Sequence, residues 1–267
     1  PRRMRTTMTV SIIIVSFNAA ADLERCLASL ASAPPAASHE IIVVDNASTD
    51  DSVAVARAAG ARIIRADANL GFARATNLGT RASGGVYLIL LNSDTVVPPG
   101  AIDRLLHEFE RSPDVAVAGP RLVDANGRPE LSFGPMIGPF NELRQKWRAR
   151  GDLERLTRRS GYPDWVSGAC LMVRRADADA VHLLDERYFM YAEDVDFCAA
   201  IRARGRRVLF LPEVEVVHLG GRSAASAPAA TARAYRRSQV AFYEKHHPLW
   251  APLLRLYLRL RRADIQG

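Results

Sequence analysis

Three acids stand together in Glu193-Asp194-Val195-Asp196, directly behind the aromatic run Tyr188-Phe189-Met190-Tyr191. Carboxylates behind an aromatic wall suit a general base, because a partly dry pocket raises a carboxyl pKa toward the working range. The same acids at a helix start also complement the helix dipole, which is the structural alternative. A further carboxylate ends an apolar run in Leu90-Leu91-Asn92-Ser93-Asp94. A hard divalent cation such as Mg²⁺ takes oxygen ligands, often one or two carboxylates plus phosphate oxygens, so Asp94 suits that role or caps a turn. His218 closes another apolar run and precedes Gly220-Gly221, a position open to a metal-ligand, phosphate-binding or structural role. Ser16-Phe17-Asn18 and Asp45-Asn46-Ala47-Ser48-Thr49-Asp50 also follow apolar runs. An acid there can accept a hydrogen bond from a ribose or a base N–H, and the Ser/Thr/Asp cluster is equally a helix N-cap. In Asn69-Leu70-Gly71-Phe72-Ala73-Arg74-Ala75-Thr76-Asn77, a glycine before a helix lets backbone approach a ligand closely or makes a simple turn. Helix N–H groups there would face an anion such as a diphosphate.

These residues share a context. Val10–Val15, Ile41–Asp45, Arg62–Arg65, Val86–Leu91 and Val115–Ala118 read as strands. Ala21–Ser32, Asp51–Gly60, Phe72–Ala82 and Gly100–Arg111 lie between them with helical period. Val/Ile-rich strands alternating with helices predict an α/β fold with a mostly parallel sheet covered on both faces. Ligands of such sheets bind at the carboxyl ends of the strands, where the polar residues above fall. Arg121 to Pro163, with Asn126-Gly127 and a basic helical piece at Asn141–Arg150, reads as an excursion from the sheet. Then come a strand at Trp165–Arg174, a helix from Val195 to Arg204, and strands at Val208–Leu211 and Val214–His218. An Ala/Ser/Pro stretch up to Ala230 reads as a linker before helices at Thr231–His246 and Leu249–Arg262.

Taken in order, Val43-Val44-Asp45-Asn46-Ala47-Ser48-Thr49-Asp50, Asn69-x-Gly71-Phe72-Ala73, Asn77, Asn92-Ser93-Asp94, Gly168-Ala169, Glu193-Asp194-x-Asp196 and His218 resemble family 2 glycosyltransferases of the GT-A fold, and most of all the bacterial rhamnosyltransferase-like branch. The resemblance runs from Thr9 to Ser223. It implies an inverting transferase that uses a nucleoside-diphosphate sugar and Mg²⁺ or Mn²⁺. It also implies a donor-binding half over 9–119, an acceptor and catalytic half over 120–223, and an extension over 224–267. By this resemblance Ser16, Asn18, Asp45 and Asn46 hold the nucleoside, while Asn69, Gly71, Phe72 and Asn77 line the donor pocket. Asn92, Ser93 and Asp94 occupy the place of the family's metal-binding acidic motif, with Asn92 where its first acid usually stands. His218 matches a metal-ligand position. Trp165, Gly168, Ala169 and Asp196 shape the sugar and acceptor pocket. Asp194 matches the catalytic base, with Glu193 beside it as second candidate. The branch suggests dTDP-L-rhamnose as donor and a cell-envelope or lipid-linked glycan as acceptor, with UDP-sugars as the alternative.

Composition bounds the reading. At 267 residues with 48% hydrophobic content the chain can bury a sizeable core, and disorder is not expected. Cys26, Cys170 and Cys198 have no metal-site or disulfide spacing and are expected to be buried, inert thiols. Arg2, Arg3 and Arg5 before Val10–Val15 imitate a signal peptide. That run is short and leads into Ser16-Phe17-Asn18, so a buried strand in a cytoplasmic enzyme is expected. No run approaches the roughly 18 apolar residues of a membrane span. Net charge is +7, and Thr231–Arg262 carries Arg233, Arg236, Arg237, Lys245, Arg255, Arg259, Arg261 and Arg262 against Glu244. The last helix, basic and leucine-rich, either lies on an anionic membrane surface or packs on the body. A nucleotidyltransferase would carry a Gly-rich basic loop at the first strand, where Ser16-Phe17-Asn18 stands instead. A non-catalytic nucleotide- or glycan-binding module would not need both Asp94 and Asp194. No nucleic-acid-binding motif is present, so nucleic acid is not an expected partner.

Overall fold

The computed structural model describes residues 9–139, 141, 153–220 and 228–260. Strands β1 (Val10–Ser16), β2 (His39–Asp45), β3 (Arg62–Arg65) and β4 (Tyr87–Asn92) alternate with helices α1 (Ala20–Ser32), α2 (Ser52–Ala58) and α3 (Phe72–Ala82). After a short β5 (Thr95–Val96) come α4 (Ala101–Arg111), β6 (Val115–Val123), β7 (Phe133–Gly134), α5 (Leu153–Leu156), β8 (Trp165–Val166) and β9 (Cys170–Arg174). Then follow α6 (Arg175–Ala180), α7 (Glu193–Ala203), β10 (Arg207–His218), α8 (Pro228–His246) and α9 (Ala251–Leu260). One sheet takes the order β3-β2-β1-β4-β9-β6-β10-β5, and β7 pairs with β8 separately.

The expected architecture is present: a mostly parallel sheet with helices on both faces and a helical extension. Alternation explains how one strand serves two faces. Ile12 and Ile14 of β1 join the core that holds Leu23 and Leu27 of α1 and Leu105 and Phe109 of α4. Ile13 between them points into the opposite core, with Ala73 and Ala75 of α3 and Phe197 and Ile201 of α7. This two-sided burial is why β1 is a continuous apolar run rather than an alternating one. The three cysteines are buried, and burial pushes each thiol up to about 12, so they stay neutral and unreactive.

Four details depart from the sequence reading. Trp165–Arg174 is two strands: β8 leaves the sheet and β9 enters its centre antiparallel to β4 and β6. Val208–Leu211 and Val214–His218 are one strand, interrupted by a bulge between Leu211 and Glu215 that the intervening Pro212 accommodates. The excursion begins beyond Arg121, because β6 runs on to Val123. The helix after the linker starts at Pro228, so the linker ends earlier than Ala230. Most of the helical piece proposed at Asn141–Arg150 lies outside the described residues.

α8 is fastened to α7 and the segment before it by Phe242, fully buried beside Tyr188 and Val195. Burial of a side chain of this size contributes about 2–3 kcal/mol.

Candidate functional site

Topology collects the chemistry at one edge. Ser16 and Asp45 end neighbouring parallel strands in direct register, and Asn92 ends β4 beside them. Because β9 runs the other way, its amino end comes to the same edge, and Asn92 donates its backbone N–H to Ala169 O at 2.9 Å. β10 is parallel to β6 and ends there in His218. β5 pairs antiparallel with that end, opposing Thr95 to His218, and Leu219 N–H donates to Asp94 O at 2.8 Å. α7 starts at this edge too, since Asp194 Oδ2 accepts from Gly168 N–H at 2.9 Å.

The nucleoside candidates lie at the ends of β1 and β2. Ser16 Oγ and Asp45 Oδ2 are buried without a hydrogen-bond partner, and Arg65 Nε reaches the latter only at 3.6 Å. Buried polar atoms are ordinarily satisfied, so two orphans on adjacent strand ends suit a polar ligand. Asn18, at φ 49°, is used by the protein itself: its Oδ1 accepts from Thr49 N–H at 2.8 Å. This fastens the loop after β1 to the loop after β2.

The Asn69–Asn77 segment behaves differently from the expectation. Asn46 Oδ1 accepts from Leu70 N–H and its Nδ2 donates to Asn69 Oδ1, so both side chains shape the loop. Phe72 N–H, the leading donor of α3, is taken by Phe189 O at 2.7 Å, so it is not open to a diphosphate. Asn77 is buried and braces Leu184 through both its amide atoms while also bonding Glu186. Five residues along a helix turn a side chain by about 140°. That carries Asn77 away from the loop that Gly71 opens, and its amide is spent on Leu184 and Glu186.

Gly71 has φ 79°, and a Cβ there would lie 2.3 Å from Phe189 O. Gly71→Ala is therefore expected to displace the 188–192 segment, cost on the order of 2 kcal/mol or more, and abolish most activity. Thermal unfolding and turnover check this together.

Tyr191 and Ala192 both adopt left-handed backbone, at φ 72° and 66°. Non-glycine residues in this region are strained, and such strain collects at functional sites. The turn is held by Ser238 Oγ donating to Met190 O at 2.7 Å and by Tyr191 packing edge-on to Tyr235. It aims α7's first residues at the edge. Burial pushes the Tyr191 hydroxyl pKa upward, and the charges of Glu193 and Asp94 add to it.

Asp194 accepts one backbone N–H on each oxygen, from Val195 at 2.8 Å and Gly168 at 2.9 Å. Burial still holds its pKa above the usual carboxylate value, against the lowering effect of those bonds. Glu193 is deeper, with Oε2 unpartnered. Burial first, then the Asp194 charge, pushes it up to about 8. In an unfolded chain Glu193 ionises near its ordinary value of 4.5, so between that pH and about 8 the folded state keeps a proton the unfolded state has lost. Stability then falls as pH rises through this window. Glu193→Gln removes the effect, so its gain in melting temperature is expected to be small at pH 5 and roughly 5 °C or more at pH 8. Differential scanning calorimetry at the two pH values measures it.

Asp196 lies on the other side of α7 from Asp194. Two residues along a helix rotate by about 200°, so Asp194 and Asp196 face opposite sides. The Asp196 carboxylate is buried against Lys245 Nζ at 2.8 Å, His246 Nε2 at 2.6 Å and Tyr188 Oη at 3.2 Å. These contacts anchor α8 to α7. Trp165 is half-buried, with its indole N–H donated to Pro135 O at 2.9 Å. Asn92 and Ser93 are half-buried at the edge.

His218 Nε2 lies 3.3 Å from Asp94 Oδ1, and its Nδ1 lies 2.8 Å from Glu130 Oε2. Burial opposes the ring's charge, but the two carboxylates outweigh it and raise the pKa to about 10. Glu130 is absent from the sequence reading. Its signal was Asn126-Gly127, the turn that folds the chain back so that Glu130 N–H donates to Leu122 O.

No cluster of three or more His, Cys, Asp or Glu side chains suited to a metal occurs among the described residues. Asp94 and His218 nonetheless fit two ligands of one hard cation, which would displace the ring proton at Nε2. An oxygen and an imidazole nitrogen converge, and the second ring nitrogen is oriented by a carboxylate, the usual outer-shell arrangement. The remaining positions would fall to phosphate oxygens and water.

The profile of Glycosyl transferase family 2 matches residues 11–181, which covers β1 through α6 and most of this edge. The chain belongs to glycosyl transferase family 2. The N-acetylglucosaminyl-diphospho-decaprenol L-rhamnosyltransferase of Mycobacterium tuberculosis is 33% identical over 92% of this chain and 88% of its own length. The low-salt glycan biosynthesis hexosyltransferase Agl10 of Haloferax volcanii is 24% identical over 78% of this chain and 66% of its own. Among solved structures, a Pyrobaculum calidifontis mannosyltransferase in complex with GDP-Man and Mn²⁺ shares the fold. It has TM-score 0.65, 18% identity, and 92% coverage of this chain against 68% of that one. This chain is thus a family 2 glycosyltransferase with a GT-A-type fold.

Proposed function

We propose that this glycosyltransferase moves L-rhamnose from dTDP-L-rhamnose to a hydroxyl of a lipid-linked or cell-envelope glycan, at the cytoplasmic side of the membrane. The relative from Mycobacterium tuberculosis supports the sugar and the lipid-linked acceptor. The observation that carries the chemistry is the sheet edge itself. Orphaned Ser16 Oγ and Asp45 Oδ2 lie at one end of it, Asp94 and His218 at another, and Glu193 and Asp194 at the start of α7. Residues 9–119 then serve as the donor-binding half and 120–223 as the acceptor half.

In this reading Asp45 and Ser16 bind the nucleoside. Asp194 takes the proton of the acceptor hydroxyl as that oxygen attacks the anomeric carbon, and the nucleoside diphosphate leaves from the opposite face, so configuration inverts. Asp194 is preferred to Glu193 because it is the less buried of the two and carries backbone donors that orient it. A bound Mg²⁺ or Mn²⁺, held by Asp94 and His218, would supply Lewis-acid neutralisation of the leaving diphosphate. Gly168 and Ala169 position the base and tie it to β4.

A donor screen by calorimetry tests the sugar carrier: dTDP-rhamnose, UDP-sugars and GDP-mannose, each with and without Mn²⁺. Tightest binding of dTDP-rhamnose, strengthened by Mn²⁺, is expected. Preference for a UDP-sugar or GDP-mannose would overturn the rhamnose assignment and leave the transferase standing.

A further inference from the structure

α9 is apolar on both sides. Its inner side is fixed by buried Ala251 and Leu258, with Leu254 packed against the cluster of Tyr188, Phe242 and Tyr243. Packing of that kind normally leaves a helix polar on the outside. Here the outer stripe is Leu253, Leu256, Tyr257 and Leu260, at the i, i+3, i+4, i+7 spacing of one face. Their exposures are 57%, 54%, 49% and 76%, and Leu249 just before the helix is 88% exposed. Scattered exposed leucines are ordinary, but a contiguous row on one helix marks an interaction surface.

Charge selects the occupant. Arg259 flanks the stripe, Arg255 one turn before it is turned toward Glu244 of α8, and Arg261 and Arg262 follow in sequence. The only acid from Thr231 to Arg262 is Glu244, which is paired with Arg255. A second copy of this chain would bring the same cations against themselves, whereas an anionic surface receives them favourably. Trp250 just before the helix and Tyr257 within it are exposed amphipathic rings suited to a headgroup boundary. No helix among the described residues is long and apolar enough to cross a membrane. The helix fits the geometry of lying on one.

We infer that α9 is a membrane-docking helix that seats its Leu253/Leu256/Tyr257/Leu260 stripe in the interface of an anionic bilayer. The attachment has a route to the chemistry. α9 packs on α8, whose Ser238 and Tyr235 hold the Met190–Tyr191 turn and whose Lys245 and His246 grip Asp196 in α7. Docking would therefore set the start of α7, and Asp194 with it, at a fixed height above the lipid. The inference deepens the reading of a lipid-linked acceptor and rests on it for its purpose alone.

Vesicle co-sedimentation without donor or acceptor tests it, so that this inference and the sugar assignment fail separately. The whole chain is expected to sediment with vesicles of phosphatidylcholine containing phosphatidylglycerol, and about tenfold less with pure phosphatidylcholine. Leu253→Ser/Leu256→Ser/Leu260→Ser is expected to lower binding by about tenfold or more at an unchanged melting temperature. Arg259→Ala, which leaves the stripe intact, is expected to reduce the preference for the anionic vesicles. If the wild-type chain stays in the supernatant with both vesicles, the inference is wrong. Equal binding to both would remove the anionic assignment. A wild-type dimer that the leucine substitutions dissociate would give the face to a second copy instead.

Discussion

Asp194→Asn is expected to lower turnover by about 10²- to 10⁴-fold while nucleoside-diphosphate affinity stays within about twofold, since a positioned base contributes on that scale and the nucleoside end of the site is untouched. The substitution keeps shape and removes basicity. It also tests the assignment within the acidic pair, because Glu193→Gln, buried beside it, is expected to cost far less. The pH profile supplies an independent sign. Burial holds the Asp194 pKa above its ordinary value of 3.8, so the wild-type rate must rise with pH through a limb lying above that value and then level. Turnover within threefold of wild type in Asp194→Asn would move the base elsewhere. Glu193 would be the first place to look.

Asp94→Ala is expected to lower turnover by about 10²- to 10³-fold and to abolish the strengthening of nucleoside-diphosphate binding by Mn²⁺. Asp94 is the sole carboxylate of Asn92-Ser93-Asp94, so nothing in that motif replaces it. Glu130 lies against the far nitrogen of His218 and does not share the Asp94 position. Glu130→Gln should therefore have a milder effect, about tenfold on Mn²⁺ affinity, through the orientation of the ring. Isothermal titration of the nucleoside diphosphate with and without Mn²⁺ separates the three cases. An unchanged metal response in Asp94→Ala would remove the ion from this corner of the sheet.

The outer half of the sheet was legible because its signals are local. A Val/Ile run buried on both faces, a helix at Phe72–Ala82 and a polar residue after each strand are written within a dozen residues of one another. The antiparallel β9 was not legible, since strand direction in a sheet depends on partners such as Leu91 and Cys170 that lie far apart in sequence. The same holds for Glu130, whose meeting with His218 across 88 positions follows from the turn at Asn126-Gly127 and from the register of β6 with β10. The placement of Asp196 on the other side of α7 from Asp194 follows from helical rotation alone. The bracing contacts of Asn77 with Leu184, 107 positions away, carry no local signal.

The account turns on a single displacement driven by a carboxylate base at the start of α7. Its most direct test is the anomeric configuration of the first-formed product, followed by proton NMR during slow hydrolysis of the sugar donor, which needs no knowledge of the acceptor. Inversion relative to the donor is the expected result. Retention would mean two displacements and a covalent intermediate, which would contradict the role given to Asp194.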